Sequence, residues 1–410
     1  MQFEAYLERS KSVPLSVRFH NLDPHLFGSL ISHTSRLAIL RVQVECSSDL
    51  SQIVQYLRGP LPMLYRFIVT SSYFASDALE LSSGVGDSHF MHVKELQLRD
   101  ISSFRAPLAF PHVTKLTWYV SPCPRNSIPL PGLLDTLQQF PVLKVVDLVF
   151  QTRHRTMTDP SPHMVTLPHV QRMNLFCSGG WGAGIPPILG SLKLPNLTSL
   201  SVDMVPELPS PFPVLPITSF GEHLPNLAEL PEMEVYMQVK TGRVRFRSPS
   251  QAVLDCRTVT QPLEDIAYHH HRVRWGGLPL HSVRRLTVTF YRRGKGAEGV
   301  WLVRLLRDLG SLEHLELVGY CGCVLRRLRR LMMRGGILLG VKTLTVRSGA
   351  YDRRQARRLK DTADGLGLET TVSYIRTLGV TDTDGWSPDA DGLSEGWGLS
   401  DEGESDKDTD

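Results

Sequence analysis

A six-residue pattern, apolar-x-x-apolar-x-apolar, recurs along most of this 410-residue chain, and a fixed period of this kind restricts the fold more than any composition does. Ten full copies begin at Leu37, Leu64, Val93, Val113, Leu143, Val170, Leu197, Val283, Leu312 and Val341. Their successive spacings are 27, 29, 20, 30, 27, 27, 86, 29 and 29 residues. The long gap is close to three periods, and a degraded copy, Leu227-Ala-Glu-Leu230, stands 30 residues into it, so the repeat is expected to persist there. Each copy ends in a short alternating stretch, as in Val93-Lys-Glu-Leu96-Gln-Leu98, that reads as a strand with one apolar face. Leu61-Pro62, Phe110-Pro111, Phe140-Pro141, Leu167-Pro168, Leu194-Pro195 and Leu224-Pro225 precede six of the copies, where Pro can end a helix and stand ahead of a strand.

Helical spacing fills the intervals. Asp23-Pro24 is an N-cap with Pro at the first helical position before Leu26, Phe27, Leu30 and Ile31, and Trp301, Leu302, Leu305, Leu306 and Leu309 form another apolar stripe. Strand, helix, strand in under thirty residues is the leucine-rich-repeat unit, in which the strands line a concave face and the helices pack outside. The expected fold is therefore an α/β leucine-rich-repeat solenoid over 1–379, with a parallel concave sheet and irregular repeats of about 28 residues. Residues 231–275 break the rhythm: Val235–Val239 and Arg243–Arg247, joined around Thr241-Gly242, read as a β-hairpin inserted into the array or projecting from it.

Of 45 basic and 41 acidic residues, one Lys and eleven acidic side chains lie in 380–410, which puts −10 there and +14 on residues 1–379. The terminal segment is rich in Asp, Gly and Ser and has little apolar surface to offset ordering entropy, so an acidic disordered tail is expected. Mean hydropathy is −0.11 and no stretch reaches membrane-spanning length. Glu4, Glu8 and Lys11 interrupt the place of a signal peptide, and six irregularly spaced cysteines suit reduced thiols. A cytoplasmic or nuclear location, with no membrane partner, is the expectation.

The opening Tyr6-Leu-Glu-Arg-Ser-Lys-Ser-Val-Pro-Leu-Ser-Val17, followed by a helix and Leu37–Val42, resembles the segment after the F-box in fungal F-box/leucine-rich-repeat-like proteins, and the similarity extends through residues 1–375. The resemblance implies a repeat array that recruits a protein substrate for ubiquitin ligation, with a Skp-type adaptor as partner only if an F-box lies upstream. The chain starts where the F-box of such proteins has already ended, so either the gene model is truncated or the array stands alone. A free-standing repeat scaffold with no ligase role is the alternative. The position eight residues after a repeat start holds Tyr320, Ser178, Tyr291, Gly349 or Gln151 where regular repeats have Asn or Cys, which predicts an irregular array.

Alternation turns one set of side chains toward a partner. The expected recognition face is Gln97 and Arg99, Thr117 and Tyr119, Arg172, Asn174 and Phe176, Ser201 and Asp203, Arg285 and Thr287, and Glu316. Tyr119 and Phe176 are read as exposed aromatics of the kind enriched at interfaces. A basic patch comprises Arg326, Arg327, Arg329, Arg330, Arg334, Arg353, Arg354, Arg357, Arg358 and Lys360; it is either a solvated helix face or a site for nuclear import, an anionic partner or the acidic tail. Nucleic acid is not the expected partner.

No catalytic residues, cofactor or metal are expected. Gly294-Lys-Gly296-Ala-Glu-Gly299 matches a dinucleotide fingerprint between a strand and a helix, which would make the chain a nucleotide-binding enzyme. Arg292 and Arg293 separate strand from glycine, however, and the repeat itself generates strand, loop, helix and strand. His269, His270 and His271 near Glu264 and Asp265 read as a solvated loop, and Cys321-Gly-Cys323 lacks a second pair at zinc spacing.

Overall fold

The structure is a computed structural model that describes residues 2–19, 29–57, 61–75, 79–80, 90–101, 103–105, 110–120, 130–151, 164–178, 185–205, 220–237, 241–259, 278–291, 298–334, 340–349 and 352–375. The acidic segment 380–410, the three histidines and most of the glycine fingerprint lie outside the described residues.

Fifteen strands form one mixed, mostly parallel sheet in an α/β fold. In chain order they are β1 (Leu15–Phe19), β2 (Leu37–Val44), β3 (Arg66–Ala75), β4 (Glu95–Ile101), β5 (Lys115–Val120), β6 (Val145–Gln151), β7 (Arg172–Ser178), β8 (Ser199–Val205), β9 (Glu232–Met237), β10 (Thr241–Arg247), β11 (Val253–Val259), β12 (Arg285–Phe290), β13 (His314–Gly319), β14 (Thr343–Gly349) and β15 (Glu369–Ile375). The order across the sheet is β1-β2-β3-β4-β5-β6-β7-β8-β11-β10-β9-β12-β13-β14-β15. All ten pattern copies lead into strands of this sheet, and each pair of neighbours among them is parallel.

Register follows the pattern position for position. Phe67 lies opposite Leu96, Leu96 opposite Leu116, Leu116 opposite Val146, and the row runs on through Met173 and Leu200. A one-residue slip would turn each apolar pair to water, so this alternation enforces the pairing. The third apolar position is as dry: Val69, Leu98, Trp118, Leu148 and Val202 are at most 1% exposed. Helix α1 (Gln2–Arg9) precedes β1, and α2 (Ser47–Tyr56), α3 (Leu130–Gln138), α4 (Ile185–Gly190), α5 (Phe220–His223), α6 (Glu298–Asp308), α7 (Gly322–Met333) and α8 (Arg353–Asp364) occupy intervals between strands. Their apolar sides share one core with the strands, as Leu133, Leu137, Leu305 and Leu328 illustrate.

The apolar-Pro pairs make the turns ahead of the strands, at Phe140 and Leu224 just past the end of a helix. Phe140 accepts the N–H of Leu143, Leu194 that of Leu197, and Leu61 that of Leu64, with Pro second in each turn, where its fixed φ fits. Nearby, Phe67, Phe90 and Phe110 stack with ring centroids 4.8 to 5.9 Å apart, and the Trp118 indole donates to the Ile101 carbonyl at 2.9 Å, so the largest buried side chain also satisfies its one donor.

The long gap departs from the expected rhythm. Its strand β9 follows Leu230-Pro-Glu-Met233-Glu-Val235, a full copy of the pattern that begins three residues after the degraded one, because a 3-10 turn over Pro225–Leu227 takes up the difference. Met233 lies opposite Leu286 and Val235 opposite Val288. The chain then reverses into β10, antiparallel to β9, and again into β11 through a turn at Ser248–Ala252, where Gln251 adopts a φ of +67°. The β9–β10 hairpin therefore neither projects nor stands apart: with β11 it is woven into the sheet, β11 parallel to β8 and β9 parallel to β12. Two outer strands escaped the pattern altogether. β1 joins β2 after a register shift at Leu15/Ser16, and β15 sets Thr370 opposite Leu344.

Candidate functional site

The face opposite the core carries three rows of side chains, one from each outward position of the strands. The twelve residues assigned to a recognition face all lie in these rows. Register brings Gln97 beside Thr117, Arg99 beside Tyr119, Asn174 beside Ser201, Phe176 beside Asp203 and Thr287 beside Glu316. Arg172 and Arg285 occupy the first row and are exposed. The twelve do not form one continuous patch, because β11, β10 and β9 separate Ser201 and Asp203 from Arg285 and Thr287. Tyr119 is also not an exposed anchor: it is 8% exposed, with the Arg99 guanidinium 5.1 Å from its ring centroid, and Phe176 is half-buried.

Asp147, at the outward position of β6, joins the first group. It accepts from Asn174 Nδ2 at 2.6 Å and Thr117 Oγ1 at 3.3 Å, with Lys115 Nζ 3.7 Å away. On the far side, Glu316 pairs with Arg347 at 2.9 Å and accepts from Thr287 at 3.3 Å, while His314 Nδ1 lies 2.6 Å from Thr343 Oγ1.

The densest chemistry sits in the separating strands. Alternation in Arg243-Val-Arg-Phe-Arg247 sends Val244 and Phe246 into the core and three arginines outward. Asp255 on β11 is directly opposite Arg245, and Arg243 is directly opposite Arg257. Two like charges facing across a strand pair repel, and Asp255 offsets this by accepting from all three guanidinium groups. Arg243 binds it through Nε at 2.9 Å and Nη2 at 2.6 Å, Arg245 at 3.1 Å and Arg257 at 3.2 Å. The Asp255 side chain is only 7% exposed and the three arginines 20 to 24%. Asp203 stands 3.8 Å from Arg257, and Arg247 pairs with Glu234 at 3.3 Å. Glu234 also accepts from the Tyr236 hydroxyl at 2.9 Å. Burial, then the Glu234 charge and this bond, push the Tyr236 hydroxyl up to about 12. The Arg245 Nε is buried without a hydrogen-bond partner. Four arginines against Asp203, Glu234 and Asp255 leave the cluster one positive charge in excess.

In the turns that lead into the central strands, Lys144, His169, Gln171, Asn196, Thr198 and Asn226 line an open depression of about 420 Å³. Its two asparagines brace neighbouring turns, Asn196 donating to the Pro168 carbonyl at 2.7 Å and Asn226 to that of Pro195 at 2.9 Å.

The basic patch lies on helices α7 and α8, which pack side by side. Arg326, Arg327, Arg330, Arg334, Arg353, Arg354, Arg357 and Arg358 are exposed, and Arg329 is half-buried. Lys360 is engaged elsewhere, 3.0 Å from both Asp364 and the Thr370 carbonyl.

Among the described residues no group of His, Cys, Asp and Glu is arranged to hold a metal ion, and no helix is long and apolar enough to cross a membrane. Burial pushes the Cys177 and Cys321 thiols up to about 12 and raises that of Cys256, which makes all three poor thiolates. The fingerprint residues Gly294 and Gly296 fall outside the described residues, while Gly299 lies within α6.

Sequence reasoning found the rows but missed Asp147, Asp255 and the arginines of β10 and β11. The signal was present in Arg243-Val-Arg-Phe-Arg247: a strand with Arg at each outward position needs counter-charge, and Val253-Leu-Asp-Cys-Arg257 supplies it. Compared with known proteins, the chain matches no protein-family model and no curated protein.

Proposed function

We propose that the chain is a leucine-rich-repeat solenoid that recognises another protein on the outward face of its sheet, as the substrate-recruiting part of an F-box-type ubiquitin ligase subunit. One observation carries the recognition half: the strands hold an apolar row dry on one side and, in the same register, present a partly exposed mosaic of amide, hydroxyl, arginine and carboxylate groups on the other. A rigid sheet fixes such groups without the entropy loss of ordering a loop, which favours binding over chemistry. The ligase half rests on the resemblance of residues 6–17 and 37–42 to the segment after an F-box.

Affinity purification of the endogenous protein tests both halves. A partner retained by the wild type and lost from an Asn174→Arg/Thr287→Arg variant with unchanged thermal unfolding supports recognition on this face; a partner set identical in the two refutes it. Co-purification of a Skp-type adaptor supports the ligase role, and a face-dependent partner without the adaptor leaves a free-standing scaffold.

A further inference from the structure

The helices α7 and α8 expose a run of arginines that far outnumbers their acidic neighbours, chiefly Asp361 and Asp364 on α8. Among the described residues no carboxylate pairs with Arg326, Arg327, Arg330, Arg354, Arg357 or Arg358, although ion pairs are common elsewhere in the molecule. Three pairs of these arginines are mutually repulsive by their spacing on the helix. Arg326 and Arg330, Arg353 and Arg357, and Arg354 and Arg358 are each four residues apart and therefore neighbours on one helix surface. Arg353 and Arg354 also occupy the first turn of α8, where the helix dipole is already positive. Neither packing nor helix propensity calls for this arrangement: Val324, Leu325, Leu328, Ala356 and Leu359 fill the buried sides, and Gln or Glu would serve as well on the exposed ones.

The opposite charge is in the same chain. Residues 380–410 carry eleven acidic side chains and one Lys. The described chain ends at Ile375, beside this surface, since the Arg353 guanidinium is 5.1 Å from the ring of Tyr374. Asp382, the first carboxylate, lies seven residues beyond Ile375, a stretch that can span about 24 Å. The twelve-residue helix α8 is about 18 Å long, so the whole arginine face is within reach.

We propose that residues 380–410 dock on the arginine face of α7 and α8, making this face an internally occupied anion-binding surface. Covalent attachment holds the acidic segment near the face at roughly millimolar effective concentration, so individually weak guanidinium–carboxylate contacts suffice at low salt. An external polyanion then gains the face only by displacing the segment.

The test uses full-length chains and a fluorescein-labelled peptide of residues 380–410. One variant converts the eleven tail carboxylates to Asn and Gln; a second adds Arg326→Gln, Arg330→Gln, Arg354→Gln and Arg358→Gln, all exposed and outside the core. Fluorescence anisotropy should show salt-sensitive binding to the tail-neutralised chain, at least tenfold weaker binding to the wild type, whose own tail competes, and at least tenfold weaker binding to the second variant with unchanged thermal unfolding. No binding, or equal binding to the two variants, would overturn the proposal. A heparin fragment binding equally to wild type and tail-neutralised chain would overturn it as well, showing an open polyanion site that the tail does not occupy.

Discussion

Replacing Asp255 with Ala takes one carboxylate away from three guanidinium groups and leaves Arg243, Arg245 and Arg257 facing one another in the middle of the sheet. Removing one partner of a fully buried ion pair costs about 3–5 kcal/mol, most of it the penalty of the charge left behind. Here the arginines are 20%, 24% and 23% exposed, so part of their hydration returns and the loss settles nearer about 3 kcal/mol. Two further signatures separate charge from packing. Raising NaCl from about 0.05 to 0.5 M should shrink the loss, because salt screens the released arginine repulsion. In a double-mutant cycle with Arg243→Ala, the two substitutions should couple by more than about 1 kcal/mol, since the pair is bidentate. Urea unfolding followed by circular dichroism and linear extrapolation measures all three quantities. A loss under about 1 kcal/mol, or strict additivity with Arg243→Ala, would refute the view that this carboxylate holds the arginine strands together.

Trp118→Ala should destabilise by about 4 kcal/mol or more, combining a large cavity with an unpaired Ile101 carbonyl, and Trp118→Phe, which keeps most of the volume but loses the donor, by about 1–2 kcal/mol in urea unfolding; a loss under about 0.5 kcal/mol in the Phe variant would contradict the assigned hydrogen bond. Ultraviolet titration should show one tyrosine ionising near 12 that disappears in Tyr236→Phe. Because its folded pKa is raised above the ordinary 10, Tyr236 favours folding fully below pH 10 and loses that contribution between pH 10 and 12, so alkaline unfolding over that window should weaken in the Phe variant. Under native conditions at pH 8 a thiol reagent should modify Cys46, which is exposed, while Cys177, Cys256 and Cys321 react only after unfolding; rapid modification of Cys256 would contradict its place on the core face of β11.

The parallel rows were legible because the period-two alternation of Leu96 and Leu98, or Leu315 and Leu317, admits one register and the near-constant spacing repeats it. What escaped the sequence were positions where geometry does not follow period. β15 puts Thr370 where its neighbour has Leu344, so no apolar signal marked it as a strand. The degraded copy at Leu227 drew attention from the true one at Leu230 because the turn residues Leu224-Pro225 match those of regular copies. Tyr119 looked outward by alternation and is outward, yet burial depends on the long Arg99 side chain lying over it, which alternation does not encode. The Asp255 cluster depends on which strands become neighbours, and β11 reaches β8 only through two reversals that no local pattern specifies.

Those reversals also bear on how the sheet assembles. Each strand touches only its neighbours, so cooperativity passes from one pairing to the next and any weak pairing divides the whole. From β1 to β8 the strands stack in chain order, and from β12 to β15 they do so again, but the covalent path jumps from β8 to β9 and leaves two places vacant. The meander β9–β10–β11 forms from close-range contacts and can seed the second block by pairing β9 with β12 before the first block is engaged. Only when β11 docks on β8 do the two blocks become one cooperative body. Hydrogen exchange should therefore divide there: loosening the β8–β11 seam lets β1–β8 and β9–β15 open as separate foldons, each protected to its own limit.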